Sequence, residues 1–138
     1  MPRATLVDTN VLSELLSPEG DRRVRAFVES LANPLVSVVV FHELAYGVEM
    51  MPAGIKRARL SAGIETFRNR FRERMVSIDI EIAEIAGRLR AGETRSGYAL
   101  DAPDALIAAS ALTLPARLAT RNTRHFERLG IELVNPWD

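Results

Sequence analysis

The stretch Ala4-Thr5-Leu6-Val7-Asp8-Thr9-Asn10-Val11-Leu12 decides the fold class of this chain. Its first four residues form a short apolar, β-branched run, which predicts a buried strand at 4–7. Asp8, Thr9 and Asn10 then supply side chains of the kind that cap helices, and apolar residues follow at helical spacing. The chain is therefore expected to pass from a buried strand directly into a helix, with an acid at the junction.

The rest of the sequence repeats this alternation of strand and helix. Apolar, β-branched runs predict further strands at residues 35–40, 75–78, 117–120 and 131–134. Capping residues and helical spacing predict helices at about residues 11–16, 21–30, 41–48, 55–74, 79–89, 103–112 and 123–129. Because no hairpin signal joins two strands, the pattern indicates an α/β sandwich on a mostly parallel central sheet.

Length and composition limit the classes of protein that this chain could be. Its 138 residues with 47% hydrophobic content fit a single domain over residues 1–138. No apolar run approaches the roughly 20 residues that span a bilayer, and the N-terminus reaches Asp8 before a signal-peptide core could form. The absence of cysteine excludes disulfides, thiolate metal sites and cysteine nucleophiles. We expect a cytoplasmic protein without membrane contact. The formal net charge of +0 decides little about its partners.

Acidic and polar residues follow the predicted strands. Asp8 comes directly after the first strand, and Glu43 comes three residues after the second, in the expected opening turn of its helix. Asp104 opens a helix, and Thr120 and Asn122 close the strand at 117–120. The carboxyl ends of parallel strands meet at one edge of a sheet, where the reactive sites of such folds lie. These residues are therefore predicted to converge.

Each of these residues also has a purely structural explanation. Asp8 and Asp104 are good helix caps, Glu43 would favour the positive end of a helix dipole, and Asn122 is a common turn former. Capping does not explain why the acids converge, however, because carboxylates held close together repel one another and raise each other's pKa. Such a cluster is stable mainly when it holds cations.

The chemistry of the donors selects the kind of cation. Oxygen ligands without any cysteine favour Mg²⁺ or Mn²⁺ over zinc. Ions of this kind generate a nucleophilic hydroxide and polarise a phosphoryl group, so no histidine base is required. His42 and His125 are accordingly expected to be surface or supporting groups rather than catalysts.

Four blocks of the sequence resemble, in order, the motifs of PIN domains, and especially those of VapC- and FitB-type toxins of type II toxin–antitoxin systems. They are residues 7–15 (VDTNVLSEL), 37–48 (SVVVFHELAYGV), 101–109 (DAPDALIAA), and 119–126 (ATRNTRHF) together with 135–137 (NPW). The resemblance covers essentially the whole chain and places the family's acids at Asp8, Glu43 and Asp104.

The resemblance implies a PIN-like three-layer α/β/α sandwich and Mg²⁺- or Mn²⁺-dependent hydrolysis of RNA phosphodiester bonds. Asp8, Glu43 and Asp104 would be the catalytic metal ligands, and Thr9, Asn10 and Thr120 would orient carboxylates and waters around them. It also implies a homodimer and a cognate VapB-like antitoxin whose tail blocks the site, with DNA bound only through the antitoxin.

One position departs from the family pattern. Many PIN domains have a fourth acid where this chain has Asn122. An amide is a neutral, weaker ligand, which puts a second tightly bound metal in doubt.

Other readings of the sequence remain open or fit poorly. A phosphoaspartyl enzyme of the haloacid-dehalogenase type needs a second Asp at the position of Asn10, and a response-regulator receiver needs a late lysine, whereas the only lysine is Lys56. A PIN-like binding module that has lost catalysis stays a serious alternative. The basic segment 56–74 could guide RNA, dock an antitoxin or form a solvated helix face.

Overall fold

The computed structural model describes residues 3–138. Within them lies one five-stranded sheet in the order β3-β2-β1-β4-β5. Its strands are β1 (Thr5–Val7), β2 (Pro34–Ser37), β3 (Met75–Val76), β4 (Arg117–Ala119) and β5 (Leu133–Val134). The helices are α1 (Thr9–Leu16), α2 (Arg22–Ser30), α3 (Val38–Glu49), α4 (Ile55–Arg70), α5 (Ile80–Arg95) and α6 (Ala102–Thr113), with short 3-10 turns at Arg72–Arg74 and Thr123–His125.

All neighbouring strands run parallel, as the sequence predicted. The register places Leu6 of β1 beside Leu35 on one side and Leu118 on the other. Every residue of β1 is buried, although successive side chains of a strand point to opposite faces. Helices therefore cover both faces of the sheet, which gives the three-layer α/β/α arrangement.

The strand order creates a crevice at one end of the sheet. The chain moves outward from β1 to β2 and β3, and then crosses back to place β4 on the other side of β1. The carboxyl ends of β1 and β4 thus meet where the direction of winding reverses, which is where α/β folds bind their ligands. Residues that directly follow β1 and β4 are the ones that this topology brings together.

The hydrophobic core lies mainly between the sheet and the first four helices. Its largest fully buried side chains are Phe71, Phe126, Leu6, Leu12 and Ile107. A smaller cluster joins α5 to α6 through Ile82, Ala86, Leu100, Ala105 and Ala109. Among residues 3–138, no helix combines the length and the apolar character that crossing a membrane requires.

The prediction of a strand over residues 35–40 was wrong for residues 38–40. β2 ends at Ser37, and Val38, Val39 and Val40 form the first turn of α3. The side chain of Ser37 accepts a hydrogen bond of 3.1 Å from the backbone N–H of Val39, which starts the helix there. The β propensity of three valines is a weak preference that this cap and the burial of Val39 and Val40 override. Glu43 consequently lies in the second turn of its helix and not in the opening turn.

Other boundaries also differ from the predictions. The helix expected over 55–74 ends at Arg70, and a separate 3-10 turn follows at Arg72–Arg74. The helix expected over 123–129 is reduced to the 3-10 turn Thr123–His125. The outer strands are shorter than predicted: β3 covers only Met75–Val76 and β5 only Leu133–Val134.

Candidate functional site

Asp8 is the buried centre of the site. It follows β1 directly and caps α1, with its Oδ1 accepting a 2.8 Å hydrogen bond from the backbone N–H of Thr9. Only 4% of the residue is exposed. The cap function that the sequence suggested is therefore real, but it occupies one carboxylate oxygen and leaves Oδ2 to other partners.

Thr120, which follows β4, holds that second oxygen. Its hydroxyl donates a 2.7 Å hydrogen bond to Asp8 Oδ2 and accepts one of 3.0 Å from the backbone N–H of Asn122. The Asn10 amide lies 3.4 Å from both Asp8 Oδ2 and the Thr120 hydroxyl, and its carbonyl oxygen accepts from the backbone N–H of Arg121. Thr120 and Asn10 thus hold the carboxylate of Asp8 in one orientation.

Glu43 reaches the same place from α3. Its Oε1 accepts a 2.6 Å hydrogen bond from the hydroxyl of Thr9. Thr9 therefore connects two acids, because its backbone N–H binds Asp8 and its side chain binds Glu43. His42, the neighbour of Glu43, is exposed on the helix surface.

Asp104 approaches from α6. Asp101 caps this helix by accepting a 2.8 Å hydrogen bond from the backbone N–H of Asp104. Asp104 thus lies in the first turn, where the sequence places it, and Asp101 in the preceding loop is the cap. Asp104 Oδ2 also lies 2.9 Å from Nδ1 of His125.

These residues line a single open cleft of about 510 Å³. Four acids line the cleft, Asp8, Glu14, Glu43 and Asp104, and Arg121 is its one basic side chain among the described residues. Asn122 contributes an exposed amide. The full lining comprises Asp8, Thr9, Asn10, Ser13, Glu14, Ser17, Glu43, Asp104, Arg121, Asn122 and Trp137.

Burial and the proximity of other acids raise the pKa values of Asp8 and Asp104. Burial raises the pKa of Asp8, the hydrogen bonds from Thr120 and Thr9 partly oppose that rise, and the charge of Glu43 adds to it. Burial, followed by the charges of Asp101 and Asp8, raises the pKa of Asp104 to about 6, while the contact with His125 opposes the rise. The cluster therefore holds its negative charge at a cost in free energy, which a cation would offset.

The donors fit a hard cation, because every candidate ligand is a carboxylate or amide oxygen. Within residues 3–138, the acids share the cleft without forming a complete, closely grouped set of three metal ligands. Such an open site suits Mg²⁺, which usually keeps several waters, so that an acid of the cleft can reach the ion through a water as well as directly.

The structure adds further side chains to those predicted for the site. His125 contacts Asp104, and Glu14, Arg121 and Trp137 line the cleft. Glu14 accepts a 3.2 Å hydrogen bond from the backbone N–H of Asp21, so it also supports the loop before α2. In the sequence, only the spacing of Glu14 from Asn10 indicated that Glu14 lies at the site, since residues four apart on α1 share a helix face.

Comparison with known proteins gives one family. The family model described as PIN domain matches residues 5–132. The VapC ribonuclease Y4jK of Sinorhizobium fredii is 32% identical, over 96% of this chain and 97% of that protein. Toxin FitB of Neisseria gonorrhoeae is 33% identical, again over 96% of this chain and 97% of that protein.

Solved structures show the same similarity in three dimensions. The chain matches the structure titled FitAcB from Neisseria gonorrhoeae with a TM-score of 0.86 and 32% identity, over 96% of this chain and 98% of that one. It matches a DNA-bound VapBC structure from Salmonella typhimurium with a TM-score of 0.80 and 26% identity, over 99% of both chains.

Proposed function

The chain belongs to the PIN domain family, and we propose that it is the toxin of a VapC/FitB-type toxin–antitoxin system and acts as a metal-dependent endoribonuclease. One observation carries the proposal. Asp8, Glu43 and Asp104 come from three different elements, yet all three line one cleft at the carboxyl ends of β1 and β4. Helix capping alone requires no such convergence.

Asp8, Glu43 and Asp104 would hold Mg²⁺ or Mn²⁺. When bound, such an ion supplies a hydroxide nucleophile at neutral pH and stabilises negative charge on a phosphate. The carboxylates carry the charge that retains the ion, and the raised pKa of Asp104, about 6, predicts that this acid is mostly ionised only above that pH. The chain's contribution is a water-accessible acidic cleft in which the ligands are already held by hydrogen bonds.

The polar neighbours would fix the ligands in place. Thr120 and Asn10 orient Asp8, and Thr9 orients Glu43. Fixed orientation matters because ligands that do not move on binding cost less free energy to arrange around the ion and its substrate. Asn122 would be a weak ligand at most, since its amide carries no charge.

The partner assignment rests on the relatives. A structure similar to this chain is titled as a DNA-bound VapBC complex. We infer a VapB-like antitoxin as the partner of this chain, a homodimeric toxin, and DNA contact only through the antitoxin. An antitoxin side chain of positive charge, such as Arg, would enter the acidic cleft and replace the metal. We also propose a cytoplasmic location for the chain, because RNA and antitoxin are present there.

A binding module without catalysis is the second candidate. The observation that favours it is Asn122, which lines the cleft at the position where many PIN domains have an acid. In that case the protein would act through its antitoxin complex alone.

Cleavage by the purified full chain separates the two candidates. We expect a labelled RNA of random sequence to be cut in the presence of Mg²⁺ or Mn²⁺, and to remain intact with excess chelator or with the Asp8→Asn variant. Circular dichroism would establish that this variant is folded. Cleavage that resists the chelator would contradict the metal mechanism, and an intact RNA under all conditions would favour the binding module.

A further inference from the structure

Arg121 differs from the rest of the cleft, because it is the one cation among the described residues that line it. It follows Thr120, and its backbone N–H donates a 3.2 Å hydrogen bond to Asn10 Oδ1. The amide of Asn10 in turn contacts Asp8. A single side chain therefore links the position of Arg121 to the central acid of the site.

The guanidinium of Arg121 lies over the ring of Trp137. Its Cζ lies 4.9 Å from the centroid of the Trp137 ring. Within residues 3–138, no carboxylate forms an ion pair with it, although the cleft is rich in acids. Stacking on an aromatic face leaves the donors at the edge of a guanidinium available for a ligand.

Trp137 is itself fixed in place. The backbone N–H of Asp138 donates to the carbonyl oxygen of Asn135 at 3.1 Å, which closes a turn around Pro136 and Trp137. The backbone N–H of Trp137 also donates to the Asn135 side chain at 3.0 Å, and the ring packs against the main core. Two hydrogen bonds and packing of the ring thus hold Trp137, so ordering Arg121 over it costs less entropy when a ligand binds.

We propose that Arg121, stacked on Trp137, binds a phosphate of the RNA strand next to the phosphate that is cleaved. This inference rests on the proposed function for the identity of the strand. An unpaired guanidinium offers parallel N–H donors, which match the two free oxygens of a phosphodiester. The acidic cluster with its ion takes the reacting phosphate, and Arg121 takes its neighbour and sets the position of the strand in the cleft.

RNA binding tests this assignment without relying on cleavage. All variants are made in the full chain carrying Glu43→Gln, because this change lowers the repulsion between the acids and RNA. Each protein is titrated into a fluorescent 12-nucleotide RNA of random sequence, in the presence of chelator. Arg121→Gln should weaken binding by about tenfold, because a charge-assisted contact is lost. It should also flatten the dependence of log K on log salt by about 0.7, which corresponds to one phosphate contact on a single strand.

Three further variants make the test specific. Arg124→Gln removes an exposed arginine that does not line the cleft, and we expect less than a twofold effect on affinity. Arg121→Lys should restore the salt dependence but only part of the affinity, because lysine keeps the charge and loses the planar stacking. Trp137→Leu should weaken binding severalfold while leaving the salt dependence unchanged.

The proposal is overturned if Arg121→Gln and Arg124→Gln behave alike, or if the parent protein does not bind this RNA. The Arg121 proposal and the proposed function can fail independently of each other. RNA binding through Arg121 by a wild-type chain that never cleaves would sustain the contact between Arg121 and an RNA phosphate and contradict the ribonuclease assignment. Metal-dependent cleavage with an RNA affinity indifferent to Arg121 would do the reverse.

Discussion

The hydroxyl of Thr120 donates a 2.7 Å hydrogen bond to Oδ2 of Asp8, although the two residues are 112 positions apart in the chain. This bond joins the ends of β1 and β4, the two strands between which the winding of the sheet reverses. It therefore connects the topology of the fold to the orientation of the most buried acid in the site.

Removal of that hydroxyl gives the first prediction. Thr120→Val keeps the shape of this fully buried side chain but leaves Asp8 Oδ2 with only the long contact from Asn10. We expect the free energy of unfolding to fall by about 2 kcal/mol, the typical value of a buried hydrogen bond to a charged group. RNA cleavage should fall as well. Thr120→Ser should retain both properties, and equal urea denaturation midpoints for the Val and Ser variants would contradict this account.

The raised pKa of Asp104, about 6, predicts a dependence of stability on pH in metal-free buffer. A carboxyl whose pKa is higher in the folded than in the unfolded protein adds stability that is complete below its unfolded pKa, near 3.8, and is lost as the pH rises through about 6. Asp104→Asn should therefore be neutral or stabilising at pH 7.5, and this advantage over wild type should shrink toward pH 4.5.

Comparing the two proteins at each pH cancels the contribution of titratable groups that do not interact with Asp104. Asp21, whose pKa the Arg23 side chain lowers, is one such group. The measurement is urea denaturation in chelator at several pH values. A difference between wild type and Asp104→Asn that stays constant over this range would show that Asp104 has no raised pKa.

Asp101 and Asp104 should have different roles, with Asp101 stabilising the fold and Asp104 binding the metal. Asp101→Ala removes the cap of α6 and should lower the free energy of unfolding by about 1 kcal/mol, with cleavage impaired at most. Asp104→Ala should abolish cleavage in a folded protein. Denaturation and cleavage assays on both variants test this, and the opposite pattern of activity would assign the metal ligand to Asp101.

Much of this site follows from the sequence, because it depends on local patterns. The sequence placed Asp8 directly after a buried strand and Asp104 at a helix start near Pro103, and both residues lie there in the structure. The position of Glu43 was predicted less accurately, since the valines before it were assigned to a strand that ends at Ser37. Their helical conformation depends on the Ser37 cap and on burial, and strand propensity does not contain that information.

Contacts between distant residues account for what the sequence did not reveal. His125 lies in the 3-10 turn Thr123–His125 and contacts Asp104, which is 21 positions earlier in the chain. Arg121 meets Trp137 only because the last strand and its turn bring the end of the chain back to the cleft. Neither pair has a fixed spacing that a single sequence could disclose.

Asn122 predicts how many ions the site holds. Three carboxylates balance one divalent ion well and two poorly, so the wild type should bind one Mg²⁺ well and a second mainly together with RNA phosphate. Asn122→Asp should tighten the second ion and lower the Mg²⁺ concentration required for half-maximal cleavage. Calorimetric titration without RNA tests this, with Asn69→Asp, an exposed change outside the cleft, as the control. Two equally tight ions in the wild type would exclude Asn122 from the metal site.

The antitoxin should be sensitive to the same acids. If a basic side chain of the partner enters the cleft, Glu43→Gln and Asp104→Asn should each weaken the complex, because an ionic contact loses its charge. Binding of the purified antitoxin, measured by calorimetry with wild type and both variants, tests this expectation. An inhibitory complex whose affinity is indifferent to both changes would place the partner on another face.

The proposed mechanism requires that Asp8, Glu43 and Asp104 together bind one divalent cation, and metal titration of the full chain without RNA measures this binding. We predict saturable binding of Mn²⁺ to the wild type, and binding weaker by at least about tenfold in Asp8→Asn, Glu43→Gln and Asp104→Asn. Glu14→Gln is the matched control, because Glu14 lines the same cleft but accepts a hydrogen bond from the backbone of Asp21. It should bind the ion as the wild type does. Wild-type affinity retained in the first three variants, or no saturable binding in any of the proteins, would contradict the account.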